Sequence, residues 1–224
     1  GTRSTVTPPQ RTVQQTLTSN LQTNTTWGDY LETPKQTKCI RLYSININGL
    51  GTIRQTYKTT LDMNAIKSLQ QNRLGYDIDI LGISEPNIHW QMEDTQNKVT
   101  AVFNEGSRGS TMTTSSSPIL PNENSIYQPG GTAVIIGNSM TNRIQHYHSD
   151  PLGRWCGFTC RGRSNRTILL LQIYQVPQTT TAGDTTAFAQ QKGILRRQGR
   201  TENPRQAFTK DLEELIRKYY ISED

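Results

Sequence analysis

The chain of 224 residues fits one α/β domain, or one domain plus a tail. Only 32% of it is hydrophobic, and it holds no run of 18 apolar residues, so no membrane-spanning helix is expected. The net charge is +6, and the three cysteines (Cys39, Cys156 and Cys160) lack the spacing of a disulfide framework, which fits reduced thiols in the nucleus or cytoplasm.

Residues 1–36 are dominated by Thr, Gln, Asn and Ser, and their apolar positions are too sparse for a periodic face. They read as a disordered leader without the apolar segment of a secretory signal. Residues 37–224 remain for a folded domain, long enough to bury a sizeable core. Its first element is a strand over 40–46, β-branched and apolar, which runs into Asn46-Ile47-Asn48-Gly49. An unpartnered buried amide costs roughly 1–3 kcal/mol, so two amides at a strand end mark a polar site. Period-2 spacing sets Asn46 and Asn48 on one face.

Residues 59–73 have helical spacing at Leu61, Ala65, Ile66 and Leu69, with Thr60 or Asp62 near the N-cap and Gly75 as the stop. Residues 77–83 form a buried strand that delivers Ser84-Glu85-Pro86-Asn87, and strand, helix and strand make a βαβ-like unit. Pro86 imposes an extended geometry on Glu85. Residues 99–103 read as a short strand and 106–118 as a Ser/Thr/Gly-rich surface loop. Gly130-Gly131 introduces a strand over 132–136. It is not a nucleotide loop, since it lacks the Gly-x-Gly-x-x-Gly spacing and precedes a strand. Strands over 143–148 and 155–160 flank a turn at Pro151 and Gly153, and a further turn at 162–165 leads to the most hydrophobic strand, 167–174. Two helices follow, one carrying Ala187, Ile194 and Leu195, the other Phe208, Leu212, Leu215 and Ile216 after Pro204. The sum is a mixed sheet with flanking helices and no repeat.

Ligands of open α/β sheets gather at the carboxyl ends of strands, where Asn46, Asn48 and Glu85 all fall. A carboxylate beside two amides suits Mg²⁺, an oxygen-seeking ion that keeps several waters. Taken alone, Glu85 reads either as that ligand or as a surface carboxylate in a loop. Tyr174 is either a rim tyrosine or a phosphate contact. His89, His146 and His148 have no carboxylate partner nearby in sequence, and the pair Cys156 and Cys160 reads as strand cysteines, not a metal half-site. From Arg143 to Arg205 ten basic residues face three acidic ones, a local +7 against +6 for the whole chain. Such an excess is either the footprint of a polyanion, which arginine forks fit well, or a solvated surface.

The ordered runs Ser44-Ile45-Asn46-Ile47-Asn48-Gly49, Asp79-Ile80-Leu81-Gly82-Ile83-Ser84-Glu85, Gly131-Thr132-Ala133-Val134-Ile135-Ile136 and Gln172-Ile173-Tyr174-Gln175-Val176-Pro177 together resemble the endonuclease/exonuclease/phosphatase superfamily. Within it the nearest likeness is to the apurinic-type endonuclease domain of LINE-type retrotransposons. The resemblance implies a DNase-I-like fold, a two-sheet β-sandwich flanked by helices. It implies Mg²⁺-dependent phosphodiester hydrolysis (Mn²⁺ as the alternative ion) on nucleic acid, DNA before RNA. Glu85 and Asn48 would hold the metal, and Asn46, Asn48 and Tyr174 would orient water and the scissile phosphate. Gln178, standing where the family has Asn, would bind substrate with Arg196 and Arg197. The family's later Gly-Asp-x-Asn and Ser-Asp-His motifs do not occur in these residues. The expectation is therefore a domain lacking its C-terminal part, inactive in this form, whose strand ending at Tyr174 is an exposed edge. The alternatives are a non-catalytic nucleic-acid-binding relic and a phosphomonoesterase of the same fold.

Overall fold

The computed structural model describes residues 32–50, 52–54, 59–92, 94–107, 109–118, 126–181 and 183–220. The chain divides into two units, Gly1–Pro34 and Lys35–Asp224, and every element named here belongs to the second. The leader expected over 1–36 lies outside the described residues up to position 31.

Two sheets form the sandwich. The first has β1 (Leu42–Asn46), β4 (Ile80–Ser84), β6 (Thr132–Ile136) and β5 (Thr111–Ser115) in the order β1-β4-β6-β5. β1 and β4 run parallel and the other pairs antiparallel. The second has β7 (Ile144–Ser149), β8 (Trp155–Arg161) and β9 (Thr167–Ile173), antiparallel throughout. A small ribbon of β2 (Thr52–Arg54) and β3 (Thr59–Leu61) stands apart. Every residue of β4 and β6 is buried, as is β8 up to Arg161. Ile80, Val134 and Ile136 from the first sheet meet Cys156, Phe158 and Cys160 from the second in one apolar cluster. Both strand cysteines are thus core residues, free of disulfides, and burial pushes the Cys156 thiol up to about 12.

The helix α1 (Met63–Gly75) starts later than its periodicity suggested, because Thr59–Leu61 pairs as β3. Asp62 caps it, accepting from the backbone of Asn64 and Ala65 at 3.0 and 3.2 Å. Ala65 is exposed, and the inward face is Ile66, Gln70 and Arg73. That polar face is satisfied: Gln70 donates to the carbonyls of Phe103 and Glu105, and Arg73 donates to Gln70, Ile78 and Ser110.

Two expectations are overturned. Residues 99–103 are helical, inside α2 (Thr95–Asn104). Thr95, Val99, Val102 and Phe103 recur at i, i+4, i+7 and i+8 and are all buried, a stripe that β-branched valines disguised. The Ser/Thr-rich stretch expected as a loop contains β5, an edge strand hydrogen-bonded along β6. Threonine is β-branched and suits a pleated surface, and α2 covers this strand through Gln96, which bonds Met112 and Thr114.

The long strand β9 lies at the edge of its sheet with both ends exposed, and Ile168 and Ile173 are each 45% accessible. Three polar side chains tie it to the first sheet: Gln172 donates to Ser84 at 2.6 Å, and Ser44 and Ser84 donate to Gln172 and to the Ile173 carbonyl. The helices α3 (Asn138–Thr141), α4 (Ala187–Arg197) and α5 (Pro204–Tyr220) complete the unit. Ile194 and Leu195 of α4 pack with Ala207 of α5 on Leu152. Among the described residues no helix is long and apolar enough to cross a membrane.

Candidate active site

Where the strands end, their backbone pairing continues in irregular form. Past β1, the amides of Ile47, Gly49 and Leu50 donate to Ser84, Glu85 and Pro86 at 2.7–3.1 Å. Past β4, Glu85 and Asn87 donate to Gly131 and Gly130, both at 3.1 Å. Three loops are thereby laced together, and the lacing demands an unusual backbone: Asn48, Glu85 and Asn87 have φ of 46°, 53° and 55°. Asparagine enters this region more easily than other side chains, whereas glutamate does so at a cost of order 1–2 kcal/mol. Glu85 therefore does not take the extended form expected before Pro86. Such strain clusters at sites where a side chain must be aimed.

The side chains of Asn48, Glu85, Asn87 and Tyr174 line one cleft of about 330 Å³, walled by Tyr127, Pro129, Gly130 and Phe188. Gly130 and Gly131 are both required here. A Cβ on Gly130 would stand 3.1 Å from the Tyr174 ring and 3.0 Å from Ala187, and one on Gly131 would stand 2.9 Å from the Ser115 carbonyl, with φ of 78° and 85° besides. The first turn of α4 reaches the cleft because Thr186 caps that helix and the buried Gln128 donates to the buried Gln190.

Tyr174 and Glu85 line the same cleft. Burial, followed by the neighbouring Glu85 carboxylate, holds the Tyr174 phenol well above the ordinary tyrosine range, so it stays a proton donor at neutral pH. Two hydrogen bonds bring the pair together. Ser84, next to Glu85, donates to the carbonyl of Ile173, next to Tyr174, at 3.1 Å. The Tyr174 amide extends the β8–β9 ladder by donating to Arg154 at 2.7 Å.

The residues singled out from sequence are partly gathered. Asn48, Glu85 and Tyr174 share the cleft. Asn46 does not line it: β1 ends at Asn46, whose side chain accepts the Asn48 amide at 3.1 Å, and the chain turns before a common face can form. Gln178 and Arg196 line a neighbouring cleft of about 670 Å³ with Lys192 and Asn203. Both clefts include Thr179 and Phe188. Arg197 is exposed one residue beyond and borders neither. Of the histidines, His89 is buried, with burial lowering its pKa and Nδ1 without a partner among the described residues, and His148 meets Tyr219 at 3.1 Å. Asn87, Tyr127 and Ser84 carry parts of the site that sequence reading passed over. Asn87 accepts the Gly130 amide at 2.8 Å, and its place two residues after Glu85 was the available signal.

For a metal, the donor set is all oxygen, one carboxylate and two amide carbonyls, which fits an ion that completes its shell with water and phosphate. Among the described residues no group of three or more His, Cys, Asp or Glu converges, so a softer or fully protein-ligated ion does not fit.

No protein-family model matches the chain, and no curated protein matches it. Among solved structures, an endonuclease/exonuclease/phosphatase family protein from Leptotrichia buccalis aligns at 14% identity over 74% of this chain and 64% of its own, with a TM-score of 0.43. An AP endonuclease from Leishmania major aligns at 16% identity over 60% of this chain and 39% of its own, TM-score 0.38. The human Nocturnin catalytic domain, solved with a sulfate anion, aligns at 17% identity over 48% and 41%, TM-score 0.32. The chain spans 39% to 64% of the length of these structures.

Proposed function

We propose that the Glu85 cleft is a metal-assisted phosphodiester site acting on nucleic acid, DNA before RNA, as the resemblance to retrotransposon-type endonucleases implies. The observation that carries this reading is the convergence of Glu85, Asn48, Asn87 and Tyr174 in one cleft on a backbone strained to aim them. Glu85 and Asn48 would hold Mg²⁺ or Mn²⁺, which when bound polarises a phosphoryl oxygen and lowers the pKa of its water. Tyr174, beside Glu85 in the cleft, would orient that carboxylate by donating its phenol to it. Asn87, anchored to Gly130, would present its amide nitrogen to a phosphate oxygen. Lys192, Arg196 and Gln178 would track the flanking backbone along the neighbouring cleft, and Phe188 and Pro129 would exclude water.

Two measurements test it. Mn²⁺ binding, followed by electron paramagnetic resonance, should weaken at least tenfold in Glu85→Gln, and any nicking of supercoiled DNA with Mg²⁺ by the wild type should disappear in the same variant. Binding and nicking both unchanged would remove Glu85 from the site. One observation favours a second reading, a nucleic-acid-binding module without hydrolysis: among the described residues, Glu85 is the sole carboxylate lining the cleft and no histidine lines it. Glu85-dependent Mn²⁺ binding with no nicking by wild type would select that reading.

A further inference from the structure

The second sheet carries another polar cleft at its other end. Arg143, Arg161 and Arg163, with Asn142 and Gln145, line a cleft of about 630 Å³ formed by the start of β7, the end of β8 and the turn into β9. Tyr174 follows the far end of β9, seven residues away, or roughly 20 Å at about 3.3 Å per residue. No single phosphate reaches both sites.

This cleft is basic by construction. From 131 to 183 the chain holds five arginines, no lysine and one acid, Asp150. Asp150 is buried and committed to Arg154 at the other end of the β7–β8 hairpin. Among the described residues none of Arg143, Arg161, Arg163 or Arg166 makes a salt bridge, and all four are exposed. Arg161 donates its amide to the Arg143 carbonyl at 2.8 Å, so two like charges sit across one ladder, an arrangement that opposes folding. The turn is equally specific. Ser164 takes a φ of 58°, and a Cβ on Gly162 would come within 2.9 Å of Ile168 and 3.0 Å of the Arg166 carbonyl. A bulge between Ile144 and His146 further re-aims β7 beside Arg143.

We propose that the Arg143–Arg161–Arg163 cleft is a second phosphodiester-binding site, which grips the backbone of a nucleic acid away from Glu85. Guanidinium forks pair with phosphate oxygens in two parallel hydrogen bonds, and Asn142 and Gln145 add neutral donors at the rim. A polyanion would relieve the like-charge repulsion that the free cleft carries. The site goes beyond the hydrolytic reading and stands without it, because it asks for binding and not for cleavage.

The experiment measures fluorescence anisotropy of a labelled 20-nucleotide DNA, single-stranded and duplex, in EDTA over 50–200 mM salt. Arg143→Gln/Arg161→Gln/Arg163→Gln should bind at least tenfold more weakly at 50 mM. Its plot of log K against log salt should flatten by about two to three, close to one unit for each phosphate the variant no longer neutralises. Unchanged affinity and slope would overturn the site. Loss of nicking in Glu85→Gln with oligonucleotide binding retained leaves it standing, and so does complete absence of nicking in wild type. A second arm uses vesicles of phosphatidylcholine with phosphatidylserine. Vesicle binding lost in the triple variant while DNA binding is kept would assign the cleft to lipid and overturn the proposal. Should the variant fail to fold, arginine modification by phenylglyoxal on wild type decides. Bound DNA should protect Arg143, Arg161 and Arg163 but not Arg217, and equal modification with and without DNA would refute the site.

Discussion

The two ends of the second sheet use the same residue type for opposite purposes. At the end next to Tyr174, Arg154 is buried and paired with two carboxylates. Asp150 takes it in two hydrogen bonds of 2.8 and 2.9 Å, Asp211 of α5 stands at 2.8 Å, and the guanidinium lies 4.5 Å over Trp155. Arg200 joins through Asp211 and Glu202. At the other end Arg143, Arg161 and Arg163 face solvent without carboxylates among the described residues. The first arrangement joins helix to sheet, while the second makes no ion pair among the described residues. An arginine's role follows from what surrounds it, so a count of basic residues merges scaffold with binding surface.

The sharpest way to break this contrast is Asp150→Ala. It leaves Arg154 buried with half of its neutralisation, and removing one partner of a buried pair costs about 3–5 kcal/mol. Asp150 also accepts the amides of Leu152 and Arg154, both at 3.0 Å, so the turn loses support as well. Urea unfolding should show the loss, and a change below 1 kcal/mol would show that the network is not structural. Because the Arg154 carbonyl receives the Tyr174 amide, a folded Asp150→Ala should also bind Mn²⁺ more weakly.

Next in size is Ser84→Ala. It removes the donor to the Ile173 carbonyl and the acceptor of Gln172, at about 1–2 kcal/mol for a half-buried pair of bonds. Mn²⁺ affinity should fall several-fold as Tyr174 drifts from Glu85. Equal affinity at reduced stability would separate the inter-sheet clasp from the site.

How much of this was legible follows from which interactions are local. β4 and β6 were readable because their buried positions are continuous runs, β1 because it is β-branched and apolar up to its polar end, and the α4 and α5 stripes because their period is regular. Asn48 and Glu85 could be joined as strand ends, but Tyr174 came to them only through the family likeness, since the clasp that brings it there links residues 84 and 173. β5 and α2 were misread because their threonines and valines serve either conformation, and contacts with β6 and Gln96 decide between them. The basic segment mixes two roles that its charge count merges: Arg154 and Arg200 are spent on Asp150, Asp211 and Glu202, none of which adjacency in sequence alone would assign.

The pH dependence is a smaller effect. His148 on β7 contacts Tyr219 of α5, and burial, then His146 and Lys218, hold its pKa below the ordinary 6.5. Burial does the same to His89. A folded pKa below the unfolded one means that the unfolded chain binds more protons, so stability rises with pH across this window. The contribution is complete above pH 6.5 and is lost as pH falls through the folded values. Tm should drop by a few degrees between pH 7 and 5, and His148→Phe should flatten part of that slope. A Tm that rises on acidification would contradict both assignments.

The smallest expected effect is also the most discriminating. Arg161→Gln and Arg163→Gln remove exposed charges that the described residues do not pair, and substitutions of that kind usually stay within about 0.5 kcal/mol. Here the sign is constrained as well. Arg161 lies across the ladder from Arg143, so neutralising it removes a repulsion, and the urea midpoint should stay or rise slightly. The rise should be larger at low salt and vanish as screening shortens the Debye length toward about 3 Å at 1 M. A loss of 1 kcal/mol or more would mean that these arginines hold the fold as Arg154 does, and the contrast between the two ends would collapse. Neutral stability joined to weakened DNA binding is what separates a surface kept for a ligand from one kept for the fold.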